Sequence, residues 1–145
     1  MASDNRADAA SAGAAGGVRG MLRLEGLALL AGAAGLYASL GGGWPMFLLL
    51  FLVPDLSFVG YLAGPRIGAA AYNAAHSTLG PLLLGAAGLA LRQPLAVQIA
   101  CIWGAHVGFD RALGYGLKYA SAFGDTHLGR IGRSASAVGT KPIRA

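Results

Sequence analysis

The chain has 145 residues, of which 55% are hydrophobic and only 12% charged, with a mean hydropathy of +0.57. A soluble domain carries about 25% charged residues, so this composition excludes an ordinary water-soluble domain and predicts one small membrane-embedded unit. The net charge of +5 does not signal nucleic-acid binding: the basic residues sit at the ends of apolar segments, and no basic stripe interleaves with aromatics.

In chain order, residues 1–20 are rich in Ala, Gly, Ser and Asp without apolar periodicity and read as a disordered tail. A signal peptide is the competing reading, because Arg19 and Arg23 precede an apolar run, but Glu25 interrupts that run and a retained first span fits better. Span one is expected over Met21–Leu40 and span two over Trp44–Leu62, with Trp44 at an interfacial position. Pro54 lies mid-span and should kink that helix, loosening the carbonyl of Leu50. Span three is expected over Arg66–Leu91, longer than a hydrocarbon core of ~30 Å requires. Span four covers Leu95–Tyr115, where Gly104 and Gly108 form a small-residue face suited to close helix contact, including a homodimer. Residues 116–133 read as a Gly-rich basic juxtamembrane segment and residues 134–145 as a loose tail. Cys101, the single cysteine, forms no internal disulfide and reads as a packing residue.

The predicted fold is therefore an all-α membrane protein, a bundle of four transmembrane helices. Ten of the eleven Lys and Arg residues fall on the side shared by both termini, with only Arg92 opposite, which places both termini in the cytoplasm. The basic ends of the spans suit anionic lipid headgroups.

Ionisable groups inside the spans carry the functional signal, because charge in a bilayer is costly and is either paired or used. His106 and Asp110 are four apart and share a helix face. Asp55, His76, His106, Asp110 and Glu25 all fall in the half of the bundle nearer the cytoplasm, within about 15 Å of the helix ends. Tyr72 and Asn73 share a face with His76. Arg111 offsets one of the three carboxylates, and roughly one negative charge remains for a bound proton or a metal cation. His with Asp or Glu is a credible ligand set for zinc or another divalent first-row metal. In that reading His76, His106 and Asp110 hold the ion, and Asp55 or Glu25 acts as ligand or base. Asp125 and His127 repeat the chemistry outside the spans and would close the layer from below if that segment folds back. Each residue also has a structural reading, as an intrahelical pair, interhelical glue or a helix cap.

Several short motifs lie along the chain: Leu22-Arg23-Leu24-Glu25-Gly26, Pro54-Asp55, Gly60-Tyr61-x-x-Gly64, Tyr72-Asn73-x-x-His76, His106-x-Gly108-Phe109-Asp110-Arg111, Gly114-Tyr115-Gly116-Leu117-Lys118-Tyr119 and Asp125-Thr126-His127-Leu128-Gly129. Taken together they resemble an uncharacterised family of small bacterial membrane proteins, the domain of unknown function DUF4260, from about Met21 to Arg133. The resemblance implies a multi-pass protein of the bacterial inner membrane and carries no substrate or catalytic residue with it.

Three functions are compatible with the residues: an intramembrane metal-dependent enzyme, such as a lipid hydrolase; a proton- or cation-coupled transporter; and a non-catalytic membrane module whose polar layer fixes helix packing. No nucleophile elbow, HExxH or phosphate loop is present.

Overall fold

The computed structural model describes residue 14, residues 16–120 and residues 124–130, with the side chains of Asp125 and Arg130 outside that set. Among the described residues the chain is all-α apart from one small hairpin. Five α-helices run α1 Gly16–Ser39, α2 Trp44–Phe51, α3 Pro65–His76, α4 Leu79–Ala90 and α5 Pro94–Leu113. A 3-10 helix, Val53–Ala63, follows α2 almost without interruption, and β1 Asp125–Thr126 pairs antiparallel with β2 Gly129–Arg130. Two segments, Gly16–Ser39 and Trp44–Ala63, are long and apolar enough to cross a membrane by length and composition.

The structure corrects the expected element boundaries in three places. Helix α1 begins at Gly16, so the last residues of the expected tail are helical, while the tails 1–13 and 134–145 lie outside the described residues. The second segment does not kink and resume as an α-helix. Pro54 has no N–H, and the Asp55 N–H donates to Leu52 O at 3.1 Å, the i−3 bond of a 3-10 helix. Eleven residues in this form are unusual, since such runs rarely exceed three or four. At about 2.0 Å per residue the 3-10 helix compensates for its few residues, so Trp44–Ala63 extends roughly 34 Å. The third segment is two helices rather than one. Pro81 clashes with the carbonyl four residues back, that of Ser77, and Ser77 accordingly turns extended (φ −80°, ψ 150°). Pro81 itself is accommodated in the first turn of α4, where no N–H is required.

Packing divides the helices into two groups. Helix α5 is central and packs chiefly against α1 and α4, whereas α3 packs against the 3-10 helix. The α1–α5 contact is close because it is built on glycine: a Cβ on Gly108 would lie 2.5 Å from Leu30 N and 2.7 Å from Gly26 O. The small-residue face expected to meet a second copy of the chain is thus met by α1 of the same chain. At the end of the bundle away from the candidate site, Tyr37 is fully buried, donates to Gly43 O at 2.7 Å and packs edge-on against Phe47. Many large apolar side chains on the outer faces stay exposed, among them Leu48, Leu49, Leu62, Leu83 and Leu91.

The break between α3 and α4 leaves the Ala75 carbonyl without a continuing helix, and Trp103 Nε1–H donates to it at 2.6 Å. Trp103→Phe is expected to orphan that carbonyl and to cost about 1–3 kcal/mol, read as a lower thermal midpoint of the purified protein in detergent.

Candidate metal centre

The 3-10 helix, α3 and α5 each turn polar groups toward one point. In a 3-10 helix residues three apart eclipse, so Asp55, Phe58 and Tyr61 share one face, which an α-helical period would splay. On α3, Tyr72 and His76 lie one turn apart with their rings stacked at 3.8 Å and 13°. On α5, His106 and Asp110 repeat that spacing.

Four ligand atoms converge. His76 Nε2 lies 3.1 Å from His106 Nε2, 3.3 Å from Asp55 Oδ1 and 3.5 Å from Asp110 Oδ2. His106 Nε2 lies 3.6 Å from Asp55 Oδ1 and 3.9 Å from Asp110 Oδ2. All four donor atoms fall within 4.8 Å of one another. Metal–ligand bonds of 2.0–2.1 Å in a tetrahedron give ligand separations of about 3.3–3.4 Å, which the five measured edges bracket. Both histidines are buried, and Asp55 is the most open member with its side chain 38% exposed. These four residues form a cluster that could hold a metal ion.

The surrounding groups orient the ligands. His76 Nδ1 is 2.9 Å from the Tyr72 carbonyl; a carbonyl only accepts, so Nδ1 carries the proton and the Nε2 lone pair points into the cluster. His106 Nδ1 is buried without a hydrogen-bond partner among the described residues, and the Phe51 carbonyl lies beside its ring. That carbonyl is released by the helix change: Pro54 offers it no N–H, and the Asp55 N–H goes to Leu52. The Phe51 ring meets His106 edge-on at 5.2 Å. Tyr72 Oη donates to Asp110 Oδ2 at 3.3 Å. His76 ends α3, so the negative end of that helix faces the cluster.

The remaining expected residues fall elsewhere. Glu25 is exposed on α1, where its carboxylate faces Arg111, and does not join the cluster. Arg111 therefore offsets Glu25 rather than a carboxylate of the cluster. Asn73 Nδ2 donates to Lys118 O at 2.8 Å, and its Oδ1 accepts from Lys118 N at 2.7 Å, so it ties down the segment after α5. That segment folds back over the bundle end. Lys118 pairs with Thr126 in a β-bridge, and Thr126, Leu128 and Gly129 are buried. The side chain of Asp125 lies outside the described residues. His127 caps from below without reaching the ligands: its Nδ1 accepts from Leu117 N at 2.8 Å.

Lys118 belongs to the surroundings of the cluster although the sequence did not single it out. It is only 6% exposed, and its Nζ lies 4.8, 5.2 and 5.9 Å from the ring centroids of Tyr72, Phe58 and Tyr61. Burial pushes the Lys118 ammonium below its ordinary range, while the Asp110 carboxylate pulls it back up. The available signal was the three-residue spacing of Asp55, Phe58 and Tyr61, which is meaningful only in a 3-10 helix.

The chain belongs to the DUF4260 family. A family model described as a domain of unknown function, DUF4260, matches residues 19–131. That span of the DUF4260 domain contains all four cluster residues and the segment that folds over them. Comparison with curated proteins and with solved structures gave no match.

His127, in the segment after α5, gives this DUF4260 protein a pH dependence. Burial pushes its imidazole below the ordinary value and the Arg111 charge lowers it further; the Leu117 N–H donated to Nδ1 also favours the neutral ring. The folded state thus holds the neutral ring to lower pH than the unfolded chain does. Between the depressed folded value and the ordinary value of about 6.5 the unfolded chain binds more protons, so stability falls as pH falls. Acidification from pH 7.5 to 5.5 is expected to lower the protection of the Leu117 amide relative to its base-catalysed intrinsic exchange rate at each pH, and His127→Asn to abolish that loss of protection.

Proposed function

We propose that this DUF4260 protein is a polytopic membrane protein that holds a divalent metal ion at the Asp55, His76, His106 and Asp110 cluster and uses it in hydrolysis of a membrane-embedded substrate. The observation that carries the reading is the proton count at the cluster. His76 turns an unprotonated nitrogen inward, two carboxylates face it, and with neutral imidazoles the protons on offer are one from His106 and that of Tyr72 Oη, which reaches Asp110 alone. Four acceptor atoms, with five of their separations at 3.1–3.9 Å, repel each other around so few protons. A dication among them makes the set neutral: two positive charges against Asp55 and Asp110, with both imidazoles neutral. A metal-free network would need an added proton on a carboxylate or an imidazole for the same cohesion, and metal content separates the two.

Four crossings fit the packing: α1, α2 with its 3-10 extension, α3 followed by α4 across their break, and α5. Broken helices at membrane depth are tolerated where protein covers the exposed backbone, which Trp103 does at Ala75. The one-sided distribution of basic residues supports cytoplasmic termini, with anionic headgroups near the folded-back segment.

When bound, a divalent ion supplies a Lewis acid and lowers the pKa of water for attack on an ester, amide or phosphoester. The chain's own residues hold and orient. Tyr72 fixes Asp110, and the Tyr72 carbonyl fixes the His76 tautomer. Asp55, the most open ligand, sits where water and a substrate reach the cluster. The test is elemental analysis of protein purified from the membrane fraction without added metal. About one zinc or other first-row dication per chain is expected; a metal content no higher than that of His76→Ala/His106→Ala overturns the reading.

A further inference from the structure

A chamber of about 280 Å³ lies between α5 and the segment Leu50–Ser57, with Pro54, Ser57, Ala75, Ile102 and Trp103 among its walls. Three of these residues adjoin ligands of the cluster. Pro54 precedes Asp55, Ala75 precedes His76, and Ile102 lies one helical turn before His106 on the same face of α5. The walls are apolar except at Ser57, whose hydroxyl oxygen is buried and has no hydrogen-bond partner among the described residues. A void of this size is far larger than one water, yet one hydroxyl does not supply the two to four polar partners each ordered water needs. Val53, one of its lining residues, is 47% exposed on the outer surface of the bundle.

We propose that this chamber holds a single acyl chain of a membrane lipid, with the polar end of that lipid at the cluster. Volume, polarity and position together select the occupant. The lining takes hydrocarbon, three of its residues adjoin cluster ligands, and Val53 gives the chamber a wall that is half-exposed on the apolar outer face. The inference deepens the metal-site reading by naming the substrate class, and it rests on that reading for what meets the head of the lipid.

The experiment uses full-length protein in phospholipid vesicles doped with a phospholipid bearing a mid-chain diazirine, followed by peptide mapping of the crosslinks and elemental analysis of the same preparation. Crosslinks concentrated at residues 53–57, 75 and 99–103, and lost in Ser57→Leu and in Ala75→Leu, are the expected result. Crosslinks spread over the exposed leucines of α1 and α4, with no excess at the chamber in the unaltered protein, overturn the proposal whether or not either variant folds. Chamber crosslinks without metal retain the lipid site and remove the hydrolytic reading. Metal with scattered crosslinks does the reverse.

Discussion

His106→Ala is expected to weaken metal binding by well over about 100-fold, the upper end of what loss of a supporting group outside the coordination sphere does. The argument is geometric. His106 Nε2 participates in three of the five measured edges of the cluster, at 3.1, 3.6 and 3.9 Å, and its ring is 1% exposed. Removing it takes away a neutral ligand and leaves two carboxylates facing a cavity. Tyr72→Phe makes the graded comparison. It keeps the stacking on His76 but loses the hydroxyl that steadies Asp110, so a weakening of roughly tenfold is expected. Metal content after dialysis against a buffered chelator series measures both. Metal content unchanged by either substitution would show that no ion is held at this cluster. Acid should release the ion from the unaltered protein as well, because each inward imidazole lone pair must be free to bind it.

Gly108→Val carries the second large expected effect, at a distance from the ligands. Its side chain would enter the space of α1, where even a Cβ stands 2.5 Å from Leu30 N and 2.7 Å from Gly26 O. Backbone on the opposing helix cannot turn aside as a flexible side chain does, so the helices must part. Overpacking of this kind costs about 1–3 kcal/mol, occasionally more. Gly104→Ala is the matched control: its added Cβ would find Ala33 at 3.8 Å and Pro81 at 3.9 Å, ordinary contact distances. Thermal unfolding in detergent should therefore show a large drop for Gly108→Val and almost none for Gly104→Ala. Since Gly108 lies two residues from His106 and Asp110 on the same helix, the valine variant should lose metal affinity too.

The cluster was legible because its members are ionisable side chains in apolar segments, and helix geometry fixes their depth. Depth is only one coordinate. Glu25 lies near the same end of the bundle as the ligands, but it points outward toward Arg111, and nothing local to its sequence distinguishes that direction from an inward one. The break after His76 had a visible cause in Pro81, overridden by the apolar run on either side of it. The 3-10 helix was hidden, since Pro54 alone is equally compatible with a kinked α-helix. The reciprocal bonds between Asn73 and Lys118 join residues 45 apart, and no spacing rule reaches that far. The backbone groups of Lys118 and the ring of Tyr72 acquire their roles only once the chain has doubled back.

The four donor atoms come from both packing groups: Asp55 and His76 from the 3-10 helix and α3, His106 and Asp110 from α5, which leans on α1 and α4. An ion seated there acts as a rivet between two halves of the molecule. It can be seated only after the last of the helices has been synthesised and docked. Chelation would then loosen the seam along its whole length, and faster proteolytic nicking at the α1–α2 turn, residues 40–43, which joins the halves outside the crossings, would report the loosening.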